Sequence, residues 1–575
     1  MIKRLLHELK EYKRASLLAP LCVCGEVIME LMIPFLMSYI IDRGVNAGDI
    51  EAIVKYGLMM LVCAFAALFF GAMSGHYSAL AAAGFIKNVR DAMFKKIQTF
   101  SFANVDRFST SGLVTRMMTD ASNVQQAYQM IIRLGVRAPL ILVVAIGMTL
   151  YINARLAVIF LIAMVFLAVV LSLITLKSYP LFQKTFQKYD DLNESVQENV
   201  GNIRVVKAYV KEEHEISRFD RAVENLKRMF TKAENILVFN SPVMTLTVNA
   251  CMIALSWFGA QFVVSGQLAT GELMSMFTYN MNILMSLMIL SMIFVMLSMS
   301  LASAKRISEI LVEQPTIANP DHPIMEVEDG SIQFRAVSFS YSDTAESEVL
   351  HSVDLSIASG ETIGILGSTG SSKTTLTNLI PRLYDVSAGA VLVGNRDVRE
   401  YDLRVLRDSV SVVLQKNVLF SGTIIENMRW GNDQATLEDI QAACKLACAD
   451  EFIQQFPDKY ETFIEQGGTN VSGGQKQRLC IARSLLKHPK VLILDDSTSA
   501  VDTRTDAQIR ESFRTSLKET TTIIVSQRIS SIEDADRILV MEDGRISSIG
   551  THAELLKTSA IYQDVYETQK RGDEE

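Results

Sequence analysis

The sequence predicts an all-α membrane domain of six spanning helices followed by an α/β domain built around a phosphate-binding loop. Three observations carry this. Six apolar stretches fill the first 302 residues, and hydropathy then falls across a proline-bearing segment. Beyond it apolar strands alternate with helical patterns, and one strand runs directly into Gly367-Ser368-Thr369-Gly370-Ser371-Ser372-Lys373-Thr374.

Composition agrees with a membrane part joined to a water-soluble one. The 575 residues leave room for two or more domains. A hydrophobic content of 49% with mean hydropathy +0.23 is high for a wholly soluble chain. The net charge of −8 gives no support for a nucleic-acid partner. Seven scattered cysteines form neither a disulfide framework nor a metal-ligand spacing, and fit reduced thiols with a cytosol-facing soluble part. The N-terminus, Met1-Ile-Lys-Arg-Leu-Leu-His-Glu-Leu-Lys, lacks a signal-peptide core and reads as an interfacial helix.

The apolar stretches are residues 17–41, 56–85, 128–152, 156–176, 236–264 and 273–302, each able to supply the roughly 20 residues a spanning helix needs. Loops 86–127 and 177–235 are long, polar and helix-patterned, and hold most of the Lys and Arg, among them Arg90, Lys95, Arg204, Lys207 and Arg221. The positive-inside bias puts both long loops, both termini and the soluble domain in the cytoplasm.

Glu26 and Glu30 lie one turn apart on one face of the first span, well into the bilayer. Intramembrane carboxylates are costly and face a cavity or a partner. Two readings stand: a pair held neutral by burial and hydrogen bonds, or an anchor for cationic substrates. In the sixth span Met281, Met285, Met288, Met292, Met296 and Met299 form one stripe. Helix packing and an adaptable surface for varied ligands both fit it.

Glu313-Gln-Pro-Thr-Ile-Ala-Asn-Pro-Asp-His-Pro323 stops the last helix. The expected division is a membrane domain over 1–315, a linker over 316–330 and a nucleotide-binding domain over 331–575. In the phosphate loop, backbone N–H groups cradle phosphates, Lys373 adds charge and Thr374 can hold Mg²⁺, with Thr375 opening the following helix. The motif's second glycine is Ser372 here, so a Cβ enters where backbone must approach phosphate. Val491-Leu492-Ile493-Leu494-Asp495-Asp496 is an apolar strand ending in carboxylates, the Walker B pattern. Val471-Ser472-Gly473-Gly474-Gln475 opens a helix with a serine and two glycines.

Those elements resemble the ATP-binding-cassette (ABC) transporters, and the order of the rest extends the resemblance over nearly the whole chain. Tyr341 is similar to the aromatic that stacks on adenine. Gln415 matches the Q-loop glutamine that reaches Mg²⁺, and Ser499-Ala500-Val501-Asp502 the D-loop. The resemblance implies an ATP- and Mg²⁺-dependent exporter with the type IV fold. Short coupling helices in its long cytoplasmic loops would touch an ATPase domain, here at about 102–108 and 208–219. It also implies that Ser472, Gly473, Gly474 and Gln475 act in trans on ATP held by a second half-transporter.

Three departures say which kind. Most such ATPases carry glutamate after the Walker B aspartate, where this chain has Asp496, one methylene shorter. The switch histidine's position, after the next strand, holds Gln527. With Ser372, all three fall on the chain's own ATP site, while its signature is intact. That asymmetry resembles the degenerate-site subunit of bacterial heterodimeric multidrug exporters. It implies a plasma-membrane subunit moving hydrophobic or amphipathic compounds, cationic ones among them. A lipid or peptide exporter, an ATP-gated channel or regulator of the same fold, and a homodimer with two slow sites are the alternatives.

Overall fold

A computed structural model describes residues 2–341, 348–497 and 499–574. They form two compact units: Met1–Gln98 with Thr110–Glu313, and Thr99–Ser109 with Gln314–Glu575.

Among its described residues, the first unit holds six helices long and apolar enough to cross a membrane. They are Lys13–Tyr39, continued by a π-helical stretch Ile40–Val45, then Ile50–Gln98, Ala121–Ile152, Ala154–Gly201, Asn240–Val264 and Thr270–Val312. Each contains most or all of one predicted apolar stretch. Several run well past the bilayer: the 49 residues of the second helix extend about 70 Å, against a hydrocarbon core of about 30 Å. The first span buries Ala15, Ala19, Val23, Val27 and Leu31, a four-residue recurrence that puts one stripe inward. Two glycines let helices approach. A Cβ on Gly71 would stand 3.3 Å from the Glu26 carboxylate, and one on Gly271 would strike the Ser38 carbonyl. Where backbones lie this close, polar groups find partners: the Gly271 N–H donates to Asp42 at 2.7 Å, and the buried Tyr279 hydroxyl to the Leu31 carbonyl at 2.9 Å. The fully buried Asp120 accepts from Arg306 Nε at 2.7 Å and Ser303 Oγ at 2.9 Å.

The second long loop corrects one expectation. The short helix at its tip is Ile203–Ala208, and residues 212 onward belong to the 26-residue helix Glu212–Leu237. Val210, at φ +51°, turns the chain, and Glu212, Glu213 and Glu215 suit the positive end of the new helix. Tyr209 and Val210 at the turn are 73% and 80% exposed, unusual for large apolar side chains.

Among the described residues of the second unit, twelve strands follow in order: β1 (Ile332–Phe339), β2 (Leu350–Ile357), β3 (Thr362–Gly367), β4 (Ala388–Val393), β5 (Arg396–Asp397), β6 (Val410–Val413), β7 (Gly422–Thr423), β8 (Phe463–Ile464), β9 (Val491–Asp495), β10 (Thr521–Val525), β11 (Arg537–Glu542) and β12 (Arg545–Gly550). The main sheet has the order β12-β11-β3-β10-β9-β6 and is parallel from β11 to β6. β9 and β10 are buried at every position, which is why they read as unbroken apolar or threonine-rich runs. An antiparallel sheet β2-β1-β4-β5 and the short pair β7-β8 complete the unit. Ligands of open parallel sheets bind beyond the strands' carboxyl ends. Here those ends deliver the phosphate loop after β3, Gln415 after β6, Asp495 closing β9 and Gln527 after β10.

Candidate functional site

Thr369, Gly370, Ser372, Lys373, Thr374, Thr375, Gln415, Asp495, Asp496 and Gln527 line one cavity of about 270 Å³ beyond those strand ends. Residues up to 158 positions apart in sequence thus converge. The remaining loop residues hold its shape: Lys373 Nζ donates to the Gly367 and Ser368 carbonyls, both at 2.7 Å, and to Ser371 Oγ at 3.3 Å. Tyr341 reaches the site through its hydroxyl, 2.9 Å from Thr375 Oγ1.

The charged groups are under tension. Burial pushes the Lys373 ammonium below its usual range, against the pull of Asp495 and Asp496. Burial likewise raises Asp495, with Thr374 and Lys373 opposing. Both trends favour the neutral forms, and phosphate with a divalent cation reverses them by supplying opposite charge to each. Thr374 Oγ1 donates to Asp495 Oδ1 at 3.1 Å. The hydroxyl, that carboxylate and the Gln415 side chain are hard oxygen donors around one cavity, a set that fits Mg²⁺.

The three departures occupy this same cavity. Ser372 has φ +72°, the left-handed region that favours glycine. Asp496, also left-handed at φ +48°, meets Gln415 Nε2 only at 3.5 Å. Gln527 is exposed, and its backbone carbonyl accepts from Gln569 Nε2 at 2.7 Å. We expect Ser372→Gly to leave thermal stability nearly unchanged, because relief of about 1–2 kcal/mol of left-handed strain is partly offset by the added freedom of an unfolded glycine. ATP affinity at this site should rise severalfold as the Cβ leaves the phosphate cradle. Fluorescent-nucleotide titration checks this; unchanged affinity would show that Ser372 does not impede phosphate.

The signature lies elsewhere in the unit. None of Ser472, Gly473, Gly474 and Gln475 lines the cavity. Ser472 caps the helix Gly473–Leu485, accepting from the Gln475 N–H at 3.3 Å while Gln475 Oε1 accepts from the Ser472 N–H at 2.9 Å. A Cβ on Gly474 would lie 2.8 Å from the Ala500 carbonyl oxygen, so the signature rests directly on the D-loop. Gln477, to which the sequence reading gave no role, ties the two together: Nε2 donates to Ser499 Oγ at 3.3 Å and Oε1 accepts from the Ala500 N–H at 3.0 Å. The Gln475-Lys476-Gln477 repeat is the sequence signal for it. Asp502 caps the helix Thr503–Ser516 through the Thr505 N–H at 3.0 Å.

In the membrane unit, Glu26 and Glu30 are neither left to hydrogen bonds alone nor both open to a cation. The Arg137 guanidinium, from the third span, bridges them: Nη1 pairs with Glu26, and Nη2 with Glu30 at 2.7 Å. Glu26 is buried and also accepts from Ser74 Oγ at 3.2 Å; Glu30 remains 38% exposed. The methionine stripe does not pack within the chain. Met281, Met285, Met288 and Met292 are exposed, Met296 is half-buried, and the opposite face, Ile283, Leu284 and Leu287, packs within the chain. The Met299 side chain lies outside the described residues.

Known proteins share this arrangement. The family description "ABC transporter transmembrane region" matches residues 17–288, and "ABC transporter" matches 350–499. The uncharacterized ABC transporter ATP-binding protein YfiB of Bacillus subtilis is 35% identical over 571 residues, 99% of this chain and 98% of that one. An ATP-dependent lipid A-core flippase of Desulfotalea psychrophila is 30% identical over 580 residues, 99% of each. The solved structure of a bacterial Atm1-family ABC exporter with ATP bound superposes with a TM-score of 0.85 at 25% identity, over 97% of this chain and 99% of that one. With its membrane helices and phosphate-binding α/β unit on one polypeptide, the chain belongs to the ABC transporter family.

Proposed function

We propose that this chain is one half of a heterodimeric, ATP-driven exporter in the bacterial plasma membrane. In this reading Ser372, Asp496 and Gln527 make its own ATP site degenerate, and Ser472, Gly473, Gly474 and Gln475 complete a competent site on the partner. The observation that carries it is the segregation within one unit: every altered residue stands in the phosphate cavity, and the unaltered signature stands outside it. A base must come within hydrogen-bond reach of the water it activates, and the Asp496 side chain is one methylene short for that task. Gln527 offers no imidazole to a transferring phosphoryl group, whose catalysis rests on fixed charges and donors. Lys373 and the loop amides would still bind ATP. Mg²⁺ held by Thr374, Asp495 and Gln415 would neutralise charge on the phosphates. The exposed Tyr209 and Val210 turn supports a partner as well, since water is a poor neighbour for such side chains.

For cargo, the exposed methionines and the partly open Glu30 favour hydrophobic or amphipathic compounds, cationic ones included. The second reading is an amphipathic lipid, favoured by the full-length likeness to a lipid A-core flippase.

Purified alone, the chain should hydrolyse ATP poorly, and activity should appear on co-purification with a second half-transporter. Steady-state ATPase assays of both preparations test this. Brisk turnover by the pure homodimer, in the roughly 1–10³ s⁻¹ range of ordinary enzymes, would overturn the reading.

A further inference from the structure

Residues Thr99–Ser109 lie between two long membrane-unit helices in sequence, yet belong to the ATPase unit. Their helix, Phe102–Phe108, is pinned there at its start. Asn104 Nδ2 donates to the Gln314 carbonyl at 3.1 Å, and Asn104 Oδ1 accepts from the Thr316 N–H at 3.1 Å. A further tie runs through Tyr384. The Tyr384 hydroxyl donates to Asp106 Oδ2 at 2.7 Å, and the Tyr384 ring lies 6.1 Å from that of Phe102.

The Tyr384 ring also packs against two aromatics beside the phosphate loop. It meets Tyr341 edge-to-face at 5.2 Å and 89°, and Phe339 at 5.7 Å. Phe339 and Tyr341 in turn stand 4.8 Å apart at 82°. Such T-shaped contacts have a preferred geometry, so a change in one ring's tilt is felt by the next. Tyr341 is bound through its hydroxyl to Thr375 of the phosphate-loop helix. That helix, Lys373–Leu379, ends five residues before Tyr384, and the Leu383 N–H returns to the Asn378 carbonyl at 3.0 Å.

We propose that Tyr384 is a positioning residue that reports occupancy of this chain's own ATP site to the helix Phe102–Phe108, through Tyr341 on one side and Asp106 on the other. The inference rests on the assignment of Tyr341 to the adenine. A base stacked on Tyr341 restricts that ring, the edge-to-face pair passes the restriction to Tyr384, and the phenol O–H holds Asp106. Burial first, and then the bond to Asp106, push the Tyr384 phenol far above its usual range, so it stays a donor throughout the physiological range. A site that turns over slowly thereby still has work to do: its filled and empty states differ at the segment joining the ATPase unit to the membrane helices.

The test follows hydrogen exchange of residues 99–109 in the tagged full-length chain, purified from native membranes with whatever half-transporter assembles with it. Photolabelling by 8-azido-ATP on this chain is measured in parallel. Magnesium with a non-hydrolysable ATP analogue should slow exchange of the segment roughly tenfold in the natural protein, the factor that about 1.4 kcal/mol produces. Tyr384→Phe keeps both rings and removes only the hydroxyl. It should abolish that nucleotide-dependent slowing while labelling persists. Asp106→Asn, which retains an acceptor oxygen, should keep the slowing; Asp106→Leu should lose it, and Tyr384→Phe with Asp106→Leu should be no worse than either alone. Normal slowing in Tyr384→Phe overturns the proposal, as does equal loss in Asp106→Asn and Asp106→Leu. Absence of labelling in the natural chain would instead remove the ATP-site assignment beneath it.

Discussion

Replacing Ser472 by alanine together with Gly474 by aspartate is expected to stop ATP turnover by the assembled transporter, whereas Asp496→Asn should lower it only modestly. The structure gives each variant a distinct physical effect. Loss of the Ser472 hydroxyl uncaps the helix Gly473–Leu485 and, on the proposed trans role, removes a donor for a facing γ-phosphate. A side chain at position 474 collides with the Ala500 carbonyl, pushing the signature off the D-loop, and its carboxylate meets phosphate with like charge. Asp496→Asn is a mild change by comparison. Asparagine tolerates the left-handed backbone that Asp496 adopts at φ +48°, and the 3.5 Å approach of Gln415 is too long to carry much energy. Removing one transition-state donor of this kind costs about 10²–10³ in rate, so a steady-state ATPase assay separates the two outcomes easily. The expected ordering is inverted within one polypeptide: its own Walker B carboxylate should matter little and its signature a great deal. Should Asp496→Asn abolish hydrolysis while the signature variant stays active, the assignment of the degenerate site to this chain is wrong.

What the sequence made legible follows the range of the underlying interactions. Spans are set by consecutive apolar residues, and the phosphate loop, Walker B strand and signature by residues a few positions apart. Their elements could therefore be placed without knowing any tertiary contact. The intrusion of a Cβ at Ser372 was legible in the same way, since the motif asks for glycine there; its left-handed backbone was not. Contacts between distant segments were not. Arg137 and Glu26 are 111 positions apart, and each, taken alone, is an unexplained charge in an apolar run. Tyr384 and Asp106 are 278 apart, with no local pattern linking a tyrosine after one helix to an aspartate within another. The short helix of the second long loop was misplaced for a different reason. Residues 203–237 are helix-patterned throughout, and periodicity alone does not show where Val210 turns the chain.

Arg137→Leu is expected to prevent accumulation of folded transporter, because it strands two carboxylates that the guanidinium now joins. Breaking a buried pair from one side typically costs about 3–5 kcal/mol, a large part of the stability of most domains. The two glutamates should then separate by role. Glu26 is buried, accepts a second bond from Ser74 and has Gly71 pressed close to it, so Glu26→Gln should weaken folding more than transport. Glu30 shares the same arginine but is 38% exposed, so Glu30→Gln should leave folding nearly intact and lower efflux of cationic dyes more than neutral ones. Replacing all three, Glu26→Gln and Glu30→Gln with Arg137→Leu, removes every charge at once. The triple variant should recover much of the folded yield that Arg137→Leu loses, since no ion is left uncompensated in the span. Size-exclusion profiles of detergent extracts and paired efflux assays, one dye of each type, read both effects. Equal loss for cationic and neutral dyes in Glu30→Gln would assign the whole triad to structure. A triple variant as poorly folded as Arg137→Leu would show that the arginine is needed for its shape and not for its charge.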